Sequence, residues 1–366
     1  MAELTVISMP FTFPASDAFV LRGTVLMPIE IADENPSSER PVEPRPVERP
    51  TGGYAHPFLA PEADARIVAS PDDDALPFIR SPWEGNGSQV SEWGTADGSE
   101  PEYSRGVVVV SGAFAIQHKF YGRFAASLAE AGYTVVTYDY RGVGGSKPRN
   151  LDKLDATMTD WALLDMEAAV EWARTHFPTR RLFLVGHSFG GQVAGLLEKT
   201  DDVAGMATFS SGSGYWRLQG RGQRWVVRFH VTVTLPVMSR LHGYAPWHMI
   251  GPGEDLPKGV ALQWSRLCRK RRYLLSDSTL PLDRYETFTA PVVAFSFGDD
   301  DWGTSKSVDT MMGAYPNVTR IHVEPGDVGV ERIGHAGYFT EPCRPLWKDV
   351  IVWLDSIPGR EPAPTD

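Results

Sequence analysis

RLFLVGHSFGGQ, residues 181–192, places a serine between two glycines directly after an apolar run. The run over 181–185 is typical of a buried strand, and GGQVAGLLEK after it begins with helical spacing. A Gly-x-Ser-x-Gly turn between a strand and a helix is so tight that only small residues fit beside the serine, here Gly186 and Gly190. We therefore predict that Ser188 is lifted above the end of a strand, where its hydroxyl is exposed as a nucleophile.

Strands and helices alternate along most of the chain. The runs typical of strands are GVVVVSGAF, TVVTYDY, RLFLVGH, VAGMATFSS, PVVAFSF and VTRIHVEP, with helical patterns between most of them. An uninterrupted β-branched run is typical of a parallel strand that is buried on both faces. The order predicts an α/β fold, in which a mostly parallel sheet with right-handed crossovers carries helices on both faces. A long helix is expected in TDWALLDMEAAVEWARTHF, with Thr159 or Asp160 as its N-cap.

Two stretches interrupt this alternation. The first lies within residues 30–105 and is rich in Pro, Glu and Arg. It cannot bury enough apolar surface to offset the conformational entropy that it would lose on ordering. The second, between the strand near 203–210 and the strand near 291–297, is aromatic and basic, and an insertion at that edge of the sheet would form a cap over the ligand crevice. The predicted units are N-terminal strands of the core (1–29), an irregular insertion (30–105), the first part of the core (106–211), a cap (212–285), the second part of the core (286–357) and a tail (358–366).

The composition excludes several classes of function. The 366 residues include 35 Lys and Arg against 46 Asp and Glu, a net charge of −11, which disfavours binding to nucleic acid or to a generally anionic membrane surface. No run approaches the roughly 18 apolar residues of a membrane span, and the N-terminus lacks the pattern of a signal peptide. Cys268 and Cys343 offer neither a disulfide framework nor metal-ligand spacing, which fits a cytoplasmic protein.

A serine hydroxyl is a weak nucleophile unless a base lies beside it and an acid orients that base. After a turn of this kind, the acid and then the histidine are expected in loops that follow later strands. GDDDWGTSKSV follows PVVAFSF, and IGHAGYF follows VTRIHVEP, so His335 is the predicted base. For the acid we favour Asp300, with Asp301 as the alternative, because Asp299 better fits a turn position or an N-cap.

A developing oxyanion needs backbone donors beside the serine. The N–H of Phe189, at the start of the helix that follows Ser188, is the first predicted donor. The second is expected in the loop SGAFAIQHKFY after the first buried strand, at Ala113 or Phe114. The His187 side chain is expected to point away from the site and to pack beneath the turn.

Several other patterns have a simpler structural explanation. DYRGVGGSKP (139–148) lacks the Lys-Ser/Thr ending of a phosphate-binding loop, so we interpret it as a tight turn. RLCRKRR (266–272) is interpreted as a solvated face of the cap in preference to an anion site. His118, His242 and His248 are interpreted as surface or core residues.

The motifs YDYRGVGGS, GHSFGG, the acidic loop and GHAGYF resemble, in order and spacing, those of the α/β-hydrolase fold superfamily. The resemblance covers 106 to about 356 and the strand pair near 19–27. Within the superfamily the chain resembles the serine-hydrolase branch that includes monoglyceride-lipase-like and serine-aminopeptidase-like proteins, and more narrowly a group of little-characterised bacterial-type hydrolases. The resemblance implies a Ser-His-Asp enzyme that acts on esters, amides or thioesters without a metal or an organic cofactor. The loop SGAFA departs from the family's usual His-Gly pair.

The leading hypothesis is hydrolysis of a carboxylic ester in a small-molecule acyl substrate through an acyl-enzyme at Ser188. An acyltransferase would use the same triad and pass the acyl group to an alcohol or amine. The sequence leaves the oligomeric state open. An apolar acyl pocket is expected among cap aromatics, namely Tyr215, Trp216, Trp225, Tyr244, Trp247 and Trp264.

Two further alternatives are weaker. A peptidase would need a charged subsite, for which Glu254 and Asp255 are candidates. A ligand-binding or interaction protein without catalysis is disfavoured because serine, acid and histidine are all present.

Overall fold

The computed structural model describes residues 4–30, 104–249, 251 and 253–358. Within them the strands are β1 (Leu4–Pro14), β2 (Val20–Glu30), β3 (Val107–Ser111), β4 (Thr134–Asp139), β5 (Leu182–His187), β6 (Val203–Phe209), β7 (Tyr244–Ala245), β8 (Leu256–Pro257), β9 (Val292–Phe297) and β10 (Val318–Val323). Eight of these strands form one sheet in the order β1-β2-β4-β3-β5-β6-β9-β10, and β7 and β8 form a separate antiparallel pair.

The predicted mostly parallel sheet is confirmed. The strands from β4 to β10 in that order are parallel neighbours, whereas β2 pairs antiparallel with both β1 and β4. Because the carboxyl ends of parallel strands meet at one edge, the loops after β3, β5 and β9 lie at the same edge of the sheet.

The uninterrupted apolar runs are explained by burial on both faces. Alternate residues of a strand point to opposite faces, so Val107 and Val109 join one core cluster while Val108 and Val110 join the other. All five residues of β3 and all six of β5 are buried. The edge strand β10 buries only its last residue, Val323.

Helices cover both faces of the sheet. Phe124 and Trp347 pack into one cluster, and Met166 and Val308 pack into the other. The α-helices in the described residues are α1 (Gly122–Glu130), α2 (Met158–Asp160), α3 (Met166–His176), α4 (Phe189–Val193), α5 (Gln223–Phe229), α6 (Leu235–His242), α7 (Lys258–Cys268), α8 (Arg284–Thr287), α9 (Ser305–Met312) and α10 (Arg344–Ser356).

The long helix that was predicted in TDWALLDMEAAVEWARTHF begins at Met158, earlier than expected. Thr157 is its N-cap, and neither Thr159 nor Asp160 takes that position. The Thr157 side chain accepts the Asp160 N–H at 3.2 Å, and the Asp160 carboxylate accepts the Thr157 N–H at 2.7 Å. This reciprocal pair is a capping box, which satisfies two backbone donors that the first turn leaves free. A π-helical turn, Trp161–Asp165, joins α2 to α3.

The helix after Ser188 is shorter than GGQVAGLLEK indicates. It spans five residues as α4 and ends in a 3-10 turn, Ala194–Leu196. Gly190, Gly191 and Gly195 each lower helix stability relative to alanine, and the chain leaves the helical conformation at Leu197.

The segment between β6 and β9 contains α5 to α8 and the β7–β8 pair, and its described residues add no strand to the large sheet. It is hydrogen bonded to the edge that carries Ser188: the Gly220 N–H donates to the Asp301 carbonyl at 2.9 Å, and the Glu254 N–H donates to the Ala115 carbonyl at 2.8 Å. We keep the interpretation of 212–285 as a cap. The predicted irregular insertion (30–105) lies almost wholly outside the described residues, as does nearly all of the tail (358–366). No helix within the described ranges has the length and apolar character needed to cross a bilayer.

We expect Phe124→Ala to lower the free energy of unfolding by about 3–5 kcal/mol, because the side chain is fully buried and its loss leaves a cavity. The ring lies 5.2 Å from Phe339 and 5.7 Å from Trp347, between centroids. Chemical denaturation measures the change. Val20→Ala is the matched control, since Val20 is 56% exposed. Equal effects of the two substitutions would contradict this description of the core.

Candidate active site

Ser188 lies in a strained turn between β5 and α4. Its φ of 50° and ψ of −109° are values that residues with a side chain rarely adopt. The Ser188 N–H donates to the Phe209 carbonyl of β6 at 2.8 Å, which ties the turn to the sheet. The exposed nucleophile turn predicted from the sequence therefore has a counterpart in the backbone conformation, and the Ser188 side chain is partly exposed.

The two glycines of the motif are required by close backbone approach. A Cβ at Gly190 would lie 2.1 Å from the Ser111 carbonyl oxygen, and a Cβ at Gly186 would lie 2.4 Å from the Gly191 Cα. Both contacts are with backbone, which cannot move aside as a flexible side chain can. Small residues thus let the start of α4 pack directly against β3 and β5.

The structure brings Ser188, His335 and Asp300 into one chain of hydrogen bonds. The distance from Ser188 Oγ to His335 Nε2 is 3.0 Å, and His335 Nδ1 lies 2.9 Å from Asp300 Oδ2 and 3.1 Å from Oδ1. An ionised carboxylate only accepts, so Nδ1 carries the proton and Nε2 of the neutral ring accepts from the serine hydroxyl. This is the tautomer that a general base at Ser188 needs.

Asp300 is buried and well satisfied. It is 3% exposed, and its Oδ1 accepts the N–H groups of Trp302 and Gly303, both at 2.8 Å. Burial alone raises the pKa of this carboxyl, but the His335 imidazole and the hydrogen bond from the Gly303 N–H outweigh burial and lower the pKa to about 2. Asp300 therefore stays ionised and accepts a hydrogen bond from His335 Nδ1.

The two neighbouring aspartates have different surroundings. Asp299 accepts the N–H groups of Ile333 at 2.9 Å and Gly334 at 2.8 Å, so it holds the loop that carries His335. The Asp301 side chain is exposed, and its carbonyl binds the Gly220 N–H. The geometry favours Asp300 over Asp301 as the partner of His335.

His187 lies beneath the turn, and its ring makes two hydrogen bonds in addition to its packing contacts. Its Nε2 is 2.8 Å from the His335 carbonyl, and its Nδ1 is 2.8 Å from the Tyr121 hydroxyl. A carbonyl only accepts, so Nε2 carries the proton and Nδ1 accepts from Tyr121. The Tyr121 oxygen in turn accepts the Ala113 N–H at 2.9 Å. One neutral histidine thus connects the loops after β3 and β10 through the end of β5.

The environment of His187 keeps it neutral. The ring is fully buried, and burial, with a smaller contribution from nearby His335, lowers its pKa to about 3. Sequence reasoning assigned His187 a structural position but gave no reason to single out Tyr121, because a tyrosine in an amphipathic segment carries no signal of such a bond.

The predicted oxyanion donors differ in availability. The Phe189 N–H stands at the first position of α4, where it has no partner inside the helix. The Ala113 N–H is already taken by Tyr121. For Phe114, no acceptor of its N–H is found within the described part of the chain, so Phe114 is the better candidate for the second donor.

An aromatic cluster lies beside Phe189 and Phe114. The Phe114 ring is 4.8 Å from Phe189 and 5.1 Å from Trp264, and Trp264 stacks on Trp302 at 6.2 Å, all between centroids. Trp247 also contacts Trp264. Two of the predicted pocket residues therefore belong to this apolar cluster.

The other four aromatic residues that were predicted to line the acyl pocket make their ring contacts outside this cluster. Trp225 is 53% exposed and packs on Trp216 at 5.4 Å between centroids. Tyr215 contacts Trp216, and Tyr244 contacts His242, so none of these four side chains joins the cluster by a ring contact that the structure shows.

The turn at 139–148 is organised by the Asp139 carboxylate. It accepts the His118 N–H and lies within 2.7 Å of His118 Nδ1, and it also accepts the Gly145 N–H at 2.8 Å. His118 is buried and thus has a structural partner, whereas His242 and His248 are exposed. Both candidate acids for a peptidase subsite are paired as well, Glu254 with Gln117 and Lys147 and Asp255 with His248.

Comparison with known proteins agrees with this architecture. A family model described as alpha/beta hydrolase fold matches residues 107–235. The chain has the α/β-hydrolase fold. The matched residues contain β3 to β6 and the turn at Ser188.

Solved structures of low sequence identity share the fold. An esterase from Pyrococcus furiosus is 13% identical with a TM-score of 0.51, and the match covers 97% of this chain and 92% of that one. A Staphylococcus aureus protein is 12% identical with a TM-score of 0.50, over 95% and 99% of the two chains.

We expect the His187 ring to remain the neutral Nε2–H tautomer from about pH 8 down to about pH 5, because its pKa is lowered to about 3 from an ordinary value of about 6.5. Ring ¹⁵N NMR reports the tautomer, and His187→Gln assigns the signal. Between about pH 6.5 and about pH 3, His187 binds a proton in the unfolded state but not in the folded state. This group therefore lowers the free energy of unfolding as the pH drops through that window. A His187 signal that titrates above pH 5 would contradict the network.

Proposed function

We propose that the protein hydrolyses a carboxylic ester through an acyl-enzyme on Ser188. The observation that carries this proposal is the hydrogen-bonded chain from Ser188 through His335 to Asp300, at the edge of the sheet where three loops meet. The fold shared with the P. furiosus esterase is compatible with it.

In the acylation step, the Ser188 oxygen attacks the acyl carbon while His335 Nε2 takes its proton. The carbonyl π electrons move to oxygen, and the tetrahedral intermediate carries a negative charge there. The N–H groups of Phe189 and Phe114 are the proposed donors to that oxyanion. When the intermediate collapses, the bond to the leaving oxygen breaks, and His335 returns the proton so that an alcohol departs.

In the deacylation step, a water molecule replaces the alcohol. His335 takes a proton from water as the oxygen attacks the acyl carbon, and a second oxyanion forms at the same donors. Collapse breaks the bond to Ser188, whose oxygen recovers the proton from His335, and the acid leaves. Asp300 stabilises the imidazolium in both steps without itself accepting the proton, in keeping with its low pKa.

The acyl side of the substrate is proposed to be apolar. The Phe114 N–H is a proposed donor to the oxyanion, and the Phe114 ring stacks on Trp264. The side chains next to the reacting acyl carbon are therefore aromatic. Apolar walls with few polar groups are typical of small-molecule sites. An ester with a hydrocarbon acyl chain fits this surrounding better than a charged acyl group.

We expect Ser188→Ala to abolish labelling by a fluorophosphonate probe and to lower kcat for p-nitrophenyl esters by roughly 10⁶-fold, to background. Asp300→Asn is expected to lower kcat by on the order of 10⁴-fold, because it favours the wrong tautomer of His335. Asp301→Asn is the matched control and should change kcat by less than about threefold, since its side chain is exposed.

Two outcomes would contradict this proposal. Well-folded wild type that neither reacts with the probe nor cleaves esters would favour a binding protein without catalysis. A larger loss in Asp301→Asn than in Asp300→Asn would assign the acid differently. Product analysis with added alcohol distinguishes hydrolysis from acyl transfer, because a transferase accumulates a new ester.

We expect Trp264→Ala to shift the preference among p-nitrophenyl esters toward longer acyl chains, because Trp264 is 8% exposed and its loss enlarges the apolar cluster next to Phe114. The ratio of kcat/KM for octanoate over acetate is the measurement, with an expected rise of roughly 10-fold. Trp225→Ala, in the exposed region of the same segment, is the control. A ratio that changes equally in both variants would place the acyl pocket elsewhere.

A further inference from the structure

The long helix between β6 and β9 has one buried row of side chains. We call it the cap helix and define it as α5 (Gln223–Phe229), the π-helical turn His230–Thr234 and α6 (Leu235–His242). Its buried residues recur every four positions, at Val227, Val231, Leu235 and Ser239. This row packs into the protein and accounts for one face of the helix.

The opposite face is apolar and exposed. Two positions after each buried residue, about 200° around the helix, lie Phe229 at 58%, Val233 at 43%, Val237 at 48% and Leu241 at 75% exposure. Trp225, at 53%, extends the row by one more turn. We call these five residues the apolar row. An extended row of large apolar side chains in water marks an interaction site more often than scattered single residues do.

The helix geometry limits how far this row winds around the helix axis. In an α-helix a step of four residues overshoots a full turn by about 40°, so a row with this spacing would wind around the axis. The π-helical turn in the middle has more residues per turn and reverses part of that drift. The π-helical turn thereby reduces the winding of the row, and all five side chains remain exposed.

Positive charge surrounds the apolar row. From 203 to 253 the sequence contains no Asp or Glu but five arginines, at 217, 221, 224, 228 and 240. The Arg228 guanidinium lies 5.4 Å from the Trp225 ring and 5.1 Å from the Trp216 ring, and Arg224 lies 5.6 Å from Trp225. These cation–π contacts hold the arginines beside the apolar side chains.

Further arginines lie next to the other end of the row. A cavity of about 670 Å³ opens between α6 and α7, and Arg240 and Arg269 line it. Arg240 precedes Leu241 of the apolar row and is itself exposed. Guanidinium groups at both ends of an apolar strip match a surface that combines hydrocarbon with phosphate.

The net charge of the chain conceals this local character. The stretch 31–103 holds fifteen of the 46 acidic residues and only five of the 35 basic residues, so it accounts for −10 of the net −11. The remaining residues are almost neutral, and the cap helix is basic. The negative net charge of the chain therefore does not prevent this helix from binding an anionic membrane surface.

We propose that the cap helix docks on the surface of an anionic phospholipid bilayer. The helix lies in the plane of the interface, with the apolar row at the boundary of the acyl chains and the arginines at lipid phosphates. A second copy of the chain is a poorer partner, because a symmetric contact would bring the same arginines of two helices together with no acid in the segment to neutralise them. This surface is separate from the proposed chemistry at Ser188.

Co-sedimentation with lipid vesicles tests the proposal on the full chain. We expect roughly tenfold stronger binding to vesicles of phosphatidylcholine and phosphatidylglycerol in equal amounts than to phosphatidylcholine alone, and weaker binding at high salt. Phe229→Gln combined with Leu241→Gln, and separately Arg221→Glu combined with Arg228→Glu, should each reduce this binding by roughly tenfold or more.

Matched controls lie outside the cap helix. Val20→Gln changes a side chain of 56% exposure in the β1–β2 hairpin, and Arg149→Glu changes an exposed charge, so both should bind as wild type does. Ser188→Ala should also bind normally, which separates this test from the proposed esterase activity.

Three results would overturn the proposal. They are no sedimentation of wild type with anionic vesicles, equal binding to the two vesicle types, and equal losses in the control variants. Light scattering addresses the competing occupant: a wild-type dimer that Phe229→Gln and Leu241→Gln dissociate would mean that a second copy covers this face.

Discussion

The close contact of α4 with β3 and β5 is the constraint on which the site depends. At Gly190 even a methyl group would meet the Ser111 carbonyl at 2.1 Å, so the backbone of the helix start rests directly on the backbone of the strand. That contact leaves no room for a relaxed turn, and Ser188 takes its strained conformation as a result. The direction of the serine hydroxyl, the position of the Phe189 N–H and the burial of His187 beneath the turn all follow from it.

The alternation of apolar runs and helical patterns along the chain was enough to predict a mostly parallel sheet. The loops that follow particular strands were enough to predict that Ser188, His335 and an aspartate lie together, with Asp300 favoured and Asp301 left open. The sequence did not resolve details that depend on which side chains meet. Thr157 is preferred to Thr159 as an N-cap because of a reciprocal bond with Asp160. The length of α4 was overestimated, since three glycines weaken a helix that its apolar spacing favours. The choice between Ala113 and Phe114 needed the position of the Tyr121 hydroxyl, which sequence spacing does not contain.

Charge illustrates a second limit of reasoning from composition. An average over 366 residues assigned one sign to the whole molecule, although 31–103 supplies nearly all of the excess acid. Screening confines the influence of a surface charge to roughly 10 Å, so a partner responds to the groups it meets and not to the total. The arginines beside Trp216 and Trp225 define the local character of the cap helix irrespective of the net charge.

The histidine network has a consequence for the order in which the candidate active site forms during folding. His187 and His335 are separated by 148 positions in the chain, and Ser188 and His335 by 147, so their bonds close only when β3, β5 and the last loop are all in place. Contacts between residues so distant in sequence form late, because the entropy of closing long loops is lost before they contribute. Formation of the Ser188–His335 hydrogen bond during refolding should therefore coincide with completion of the whole sheet. A partly folded chain with native secondary structure would lack the hydrogen-bonded chain from Ser188 through His335 to Asp300.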